Sequence, residues 1–355
     1  MNVEPFTLER WFADHEHEAD LMLAESGIRS LPAEQFDLDP GELDYVIPTN
    51  GDPEFRQRVA DRYGRDADEL LFTVGCQEAN FLAFLSLLGA GDHAVVVTPT
   101  YQSLHAVPDA FADVTRVELE PPEWRLDPDA VAEAMTPDTR VVVVNNPNNP
   151  TGRYHPEETV RAVYEHAADR GVYLLCDEVY RGLAEEPVPP AASFGEYGVS
   201  TSSVTKAYGL AGLRFGWLCG PPEVTSAAWN WKDYTTISPP LVSQHVARQA
   251  LDREDELLAD SRALAARNRA LVAEFLDEHG LEWHEPVGVN GFVTVPEGFA
   301  GGRSFCGRLV REESVVLAPG EAFGVSDRFR IGFGLRTERL EEGLSRVGAF
   351  LERHT

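Results

Sequence analysis

Short apolar runs alternate with amphipathic stretches through the middle of the chain. The runs Leu71–Val74, Ala94–Thr98, Val114–Leu119, Val141–Asn145, Val172–Asp177, Ser200–Val204 and Phe215–Cys219 are each the length of a strand. Helical periodicity falls between several of them, over Gln77–Leu88 and Pro156–Arg170. Strands alternating with helices predict a mostly parallel sheet covered on both faces, and the unbroken VVVV run at 141–144 suits a strand buried on both sides. Only a short segment joins the last two strands, too short for a crossover helix, so that pair is expected to be antiparallel. Beyond Ser238 a long, interrupted helical pattern spans roughly Pro240–His279. It is followed by strands at Gly291–Val295, Ser314–Leu317 and Phe329–Phe333 and a terminal helix at Thr337–His354. The expected architecture is α/β. A large domain over 41–265 carries a seven-stranded sheet, and residues 1–40 and 266–355 form a smaller α+β domain with an N-terminal arm. The first forty residues carry no strand pattern and are expected to pack on the C-terminal unit or on a second subunit.

Composition narrows the functional classes. The chain has 355 residues, 43% hydrophobic, and a formal charge of −29. Such a surface repels nucleic-acid phosphates and anionic lipid, so both are poor partners. Lys206 and Lys232 are the sole lysines, and the other 28 basic residues are arginine. That balance fits a salt-rich cytoplasm, where screening tolerates self-repulsion. It also fits GC-rich codon usage. The four cysteines are scattered, with neither a zinc-ribbon spacing nor a disulfide framework. The acidic N-terminus does not read as a signal peptide, and the longest apolar stretch, Phe81–Leu88, is too short to span a bilayer. The HEHE run at 15–18 has no metal-ligand spacing and reads as a solvated acidic face, as does DREDE at 252–256. No dinucleotide fingerprint or phosphate-binding P-loop is present.

Open parallel sheets bind ligands at the carboxyl ends of their strands. The residues found there are Gly75-Cys76-Gln77 opening a helix, Pro99-Thr100-Tyr101, the segment NNPNNPTG at 145–152, Asp177-Glu178-Val179-Tyr180, and Ser203-Val204-Thr205-Lys206 followed by Arg214. A helix N-terminus with an arginine suits a phosphate, and an aromatic offers a stacking face. A buried carboxylate can hold a cationic ring nitrogen, an amide and a phenol can hold a ring hydroxyl, and a lysine can form an imine with a carbonyl. Together these describe a site for pyridoxal 5'-phosphate (PLP).

The segments NNPNNPTG, DEVY and SSVTKAYGLAGLRFG resemble the class I/II aminotransferases, the fold-type I PLP enzymes, and the resemblance runs from about Leu43 to Arg336. It implies that Lys206 carries the cofactor covalently, that Asp177 pairs with the pyridine nitrogen, and that Tyr180 and Asn149 hold the ring hydroxyl. It further implies phosphate binding by Ser203, Arg214 and the backbone of Gly75, Cys76 and Gln77, with Tyr101 stacking on the ring. Arg330, in an F-R-I segment, would clamp the substrate carboxylate together with Asn149, and Gly27, in ESGIRS, matches the N-terminal substrate loop. The resemblance also implies a homodimer with sites at the interface, in which Tyr45 would reach the neighbouring subunit's phosphate.

The implied activity is transfer of an amino group from an L-amino acid to a 2-oxo acid by a ping-pong route, in the cytoplasm. Elimination, replacement or cyclisation on the same cofactor would use nearly the same residues and stays open, as does the identity of the amino donor. A non-catalytic PLP-binding sensor is the third reading. It lacks support because the chain has no basic helix-turn-helix segment and keeps every expected catalytic residue.

Overall fold

A computed structural model describes residues 3–354. Its strands are β1 (Leu21–Met22), β2 (Leu70–Thr73), β3 (His93–Thr98), β4 (Asp113–Glu118), β5 (Thr139–Asn145), β6 (Tyr173–Asp177), β7 (Gly198–Ser203), β8 (Gly216–Cys219), β9 (Asn290–Thr294), β10 (Val315–Val316), β11 (Ala318–Pro319) and β12 (Arg328–Gly332). The large sheet has the order β2-β8-β7-β6-β5-β3-β4. Pairings from β7 through β4 are parallel, while β8 lies antiparallel to both β7 and β2. Strand β8 therefore runs alone against the others, and the remaining six place their carboxyl ends on one rim.

The apolar runs make the sheet for the reason their sequence suggests. In β5, Val142 and Val144 belong to one buried apolar cluster while Val141 and Val143 belong to another. Alternate side chains thus fill the two faces, and helices cover both. Strand β4 is an edge, and its exposed Asp113, Arg116 and Glu118 discourage a further strand from pairing there. The long C-terminal pattern is broken at Arg253 into helices Leu241–Asp252 and Glu254–Glu278.

Two expectations change near the termini. The stretch Ser314–Leu317 holds only the two-residue strand β10, after Ser314 in the left-handed region (φ 57), and a second short strand, β11, follows at Ala318–Pro319. The first forty residues are not strandless, because Leu21–Met22 pairs in parallel with Val315–Val316. From there the chain threads between the C-terminal unit and the loop after β7. Leu23 donates to Val316 O and accepts from Gly332 N, Ile28 donates to Lys206 O, and Arg29 donates to Gly334 O. Two glycines make room for this strip. A Cβ on Gly332 would lie 1.8 Å from Glu25 O, and one on Gly334 would lie 2.0 Å from Gly27 O.

Backbone cannot yield to such an overlap as a flexible side chain can. Gly332→Ala is therefore expected to cost about 3 kcal/mol of stability, read from the denaturant midpoint. Gly212→Ala, where nothing lies within 4 Å, should stay within about 0.5 kcal/mol of the parent.

Candidate active site

The strand ends open onto a cleft walled by the residues that follow the strands. At its anion-seeking end, Gly75 (φ +83) turns the chain from β2 into the helix Cys76–Leu87, whose first N–H groups have no intrahelical acceptor. Arg214, itself in the left-handed region at φ 48, folds its guanidinium onto this turn. A Cβ at Gly75 would lie 2.8 Å from Arg214 Nη2, so the dihedral demands glycine and the guanidinium lies close over the turn. Ser203, at the end of β7, is buried, and Thr205 N donates to its Oγ at 3.3 Å. Thr205 Oγ1 is buried with no protein partner, a hydroxyl available to a ligand on this rim. A helix N-terminus, two hydroxyls and a guanidinium are the donor set of a phosphate site.

The opposite wall carries a buried carboxylate. Asp177 ends β6; its Oδ2 accepts from Asn80 Nδ2 at 2.8 Å and its Oδ1 from Val179 N at 3.1 Å. Burial pushes its carboxyl above the ordinary carboxylate range, opposed by the Asn80 amide, the Val179 N–H, Cys76 and the Lys206 charge. The amide orientation of Asn80 is set from behind by the Thr201 hydroxyl, which donates to its Oδ1. The Cys76 thiol is pushed well above its usual range by burial and by Asp177, so it stays a neutral small side chain.

Lys206 extends from the loop after β7, and its Nζ donates to Ser26 Oγ at 3.2 Å; the Tyr180 hydroxyl donates to the same oxygen at 2.9 Å. Gly27 sits beside it, with a Cβ there reaching 3.4 Å from Lys206 Cδ. The second lysine is committed elsewhere: Lys232 is fully buried, with Nζ 2.9 Å from Glu78 Oε2 and a further bond to Thr236 Oγ1.

The asparagine-rich segment divides its labour. Asn145 donates to Asp177 O and accepts from Asn149 N, and Asn148 bonds Pro99 O and Thr151, so both shape the loop. Asn149 Oδ1 accepts from Arg330 Nη1 at 2.8 Å, and its amide NH₂ has no protein partner among the described residues. Arg330 is 1% exposed and also donates through Nη2 to Ala24 O at 2.6 Å, while its Nε is unpartnered. Burial lowers its pKa, but Tyr180, Glu25, Tyr101 and Glu9 oppose this, and a guanidinium remains charged. Tyr101 is half-buried in the cleft wall. Its hydroxyl donates to Glu9 Oε1 at 2.8 Å, and burial followed by that carboxylate pushes its pKa far up.

Of the residues expected from sequence, Cys76, Gln77, Tyr101, Asn149, Asp177, Tyr180, Ser203, Lys206 and Arg214 line the one cleft. Gly75, Gly27 and Arg330 stand directly behind it through the contacts above. Tyr45 does not join them within this chain: it is 81% exposed, in a stretch whose Leu43 and Ile47 are equally bare. Sequence reading missed Asn80, Ser26, Thr205 and Glu9. Asn80 was within reach, since it lies one helical turn after Cys76 on the same face. Ser26 stands beside Gly27 in the ESGIRS segment already singled out, without a role of its own, and Glu9 was out of reach because only tertiary packing brings helix Thr7–His15 to the rim.

The burial of Asp177 has a measurable sign. Between the ordinary value of 3.8 and the raised native value, the folded chain keeps a proton that the unfolded chain has lost, so native stability falls as pH rises through that window. Asp177→Asn carries no titrating group and should gain stability relative to the parent as pH rises above the ordinary carboxylate value of 3.8. Denaturant unfolding of the ligand-free proteins across that range checks it, and a constant difference would mean that the carboxylate carries no burial penalty.

Comparison with known proteins agrees with this geometry. The chain matches the aminotransferase class I and II family over residues 24–347. It is 31% identical to a probable aspartate/prephenate aminotransferase of Thermus aquaticus, over 88% of this chain and 85% of that protein. The crystal structure of a PLP-dependent aminotransferase from Streptococcus suis superposes with a TM-score of 0.94 at 31% identity, covering 100% of this chain and 99% of the other. A structure of the PLP-dependent cyclase OrfR superposes with a TM-score of 0.91, also at 31% identity, covering 100% and 99%. The fold is thus shared along the whole length, and the chain belongs to the class I and II aminotransferases, enzymes that work with pyridoxal phosphate.

Proposed function

We propose that Lys206 is the covalent anchor for PLP and the proton carrier of an amino-group transfer from an L-amino acid to a 2-oxo acid. The observation that carries this reading is the meeting, in one cleft, of a lysine with no salt bridge among the described residues, a buried carboxylate and an anion-binding turn. When bound, the cofactor supplies an electron sink for the bond broken at the substrate's α-carbon. Asp177 would keep a proton on the ring nitrogen, an ion pair that also relieves the penalty of its own burial. The turn at Gly75-Cys76-Gln77, with Ser203, Thr205 and Arg214, would fix the phosphate. Tyr101 would stack on one face of the ring, while Tyr180 and the free amide of Asn149 would hold its hydroxyl. The Nζ of Lys206 would remove the α-proton and return it at the neighbouring carbon. Arg330 would hold the α-carboxylate, its fork already oriented by Asn149 Oδ1 and Ala24 O.

The adjacent exposed side chains Leu43, Tyr45 and Ile47, each about 80% bare, support a homodimer in which a second copy covers them and Tyr45 reaches the partner's phosphate. The apportionment into a large domain over 41–265 and a small domain of 1–40 with 266–355 belongs to the same reading, as does a cytoplasmic enzyme suited to high salt. Among the described residues no helix is long and apolar enough to cross a membrane. The likeness to the cyclase OrfR supports one second reading, a cyclisation on the same cofactor.

A single-turnover screen separates the two. Mixing the yellow holoenzyme with one amino acid at a time should bleach the visible band and release a 2-oxo acid. A cyclic product with the yellow colour restored, and no 2-oxo acid, would favour cyclisation. Lys206→Ala should lower turnover by about 10⁴-fold or more. Borohydride reduction of the parent, followed by peptide mapping, should place the label on Lys206, and a label on Lys232 would refute the assignment. Arg330→Lys keeps the charge but loses the fork, so kcat/KM should fall about 10²-fold.

A further inference from the structure

We propose that Ser26 is a catalytic residue of this enzyme, its hydroxyl oxygen holding the Lys206 amine in the orientation from which it takes and returns the substrate's α-proton. The proposal rests on the reading of Lys206 as proton carrier. Ser26 Oγ is 3.2 Å from Lys206 Nζ and 2.9 Å from the Tyr180 hydroxyl, and both groups donate to it. In the ligand-free cleft the pair fills both acceptor positions of the serine oxygen, and its own hydrogen, without a protein partner among the described residues, is free to donate to the Tyr180 oxygen once that phenol turns to the ring hydroxyl. Ser26 is 6% exposed, and that remainder faces the cleft, whose wall it forms.

The placement is built into the fold. Ser26 lies in the strip that crosses from the C-terminal unit to the loop of Lys206. The Ile28 N to Lys206 O bond ties that strip to the backbone of the lysine itself. Gly332 and Gly334 admit the strip, since a side chain at either would strike Glu25 O or Gly27 O. Ala24 O, two residues before Ser26, accepts from Arg330. One short segment thus touches the proposed carboxylate clamp and the proposed base together.

The chemistry follows from counting hydrogens. A free lysine amine has two N–H bonds and one lone pair, and without a partner it rotates about Cε–Nζ. Donation of one N–H to Ser26 Oγ restricts that rotation and leaves the lone pair for the substrate. In the transfer the Cα–H bond breaks, its electron pair stays on the carbon side, and an N–H bond forms on Lys206. Ser26 Oγ then accepts from the ammonium, a stronger bond than from the amine. The return step breaks that N–H bond and delivers the proton to the adjoining carbon, leaving the amine as before.

The test uses holoenzyme carrying Ser26→Ala and Ser26→Thr. Without substrate, the pH midpoint of the visible band reports protonation of the nitrogen on Lys206. Loss of an acceptor disfavours the protonated form, so Ser26→Ala should move that midpoint down by about 0.5 unit or more, with Tyr180 and Asp177 unchanged beside it. With substrate, kcat should fall about 10- to 100-fold while KM stays within about threefold, and the isotope effect with an α-deuterated donor should rise. Ser26→Thr keeps a hydroxyl and should recover most of the loss. An alanine variant within twofold of the parent kcat, whether or not its midpoint moves, would overturn the proposal. So would a loss confined to KM. Failure of the parent to form a visible band, or to label at Lys206, would instead refute the assignment of Lys206.

Discussion

A buried carboxylate, at the end of a central strand, is the costly feature around which this site is arranged. Asp177 is surrounded by neutral donors, the Asn80 amide and the Val179 N–H, and these compensate only part of its desolvation, because its carboxyl remains above the ordinary range. The support continues outward, since Thr201 orients Asn80 from the next strand. Such a group is stable in its charged form when a cation lies against it, and the cleft it faces has the room for one. The ligand-free protein therefore carries a strained electrostatic state that a cationic ring nitrogen would relieve.

A second constraint is mechanical. The large sheet supplies Asp177, Ser203 and Lys206, but their counterparts Arg330, Ala24 and Ser26 come from the C-terminal unit and the N-terminal strip. Close backbone approach at Gly332 and Gly334 joins the two sets. Glycines often serve turns, but these two serve proximity: their Cβ positions are occupied by another segment's carbonyl oxygens. Helix Thr7–His15 closes the rim from the same side, with Glu9 on Tyr101 and the Trp11 indole donating to Leu317 O.

The charge of −29 shapes the outside and little of the inside. Most ion pairs are surface contacts of arginine with glutamate or aspartate, individually weak and screened by salt. The Lys232–Glu78, Arg181–Glu178 and Arg65–Glu69 pairs are more buried, and the first matters because it removes the second lysine from competition for an aldehyde.

The apolar runs by themselves determined the parallel sheet, because a strand buried on both faces has to be apolar at successive positions, as Val141–Val144 are. The motifs at the strand ends determined most of the cleft, since a rim of carboxyl ends gathers whatever follows each strand: Gly75, Asn149, Asp177, Lys206. Tertiary structure alone decided the rest. Glu9 lies on an amphipathic helix whose docking site its own pattern does not name, Ser26 lies in a strip with no regular period, and Arg330 could have been one surface arginine among 28 until its guanidinium was found buried against Asn149 and Ala24. Their positions depend on backbone approach between segments some three hundred residues apart, a contact that no local pattern of side chains encodes.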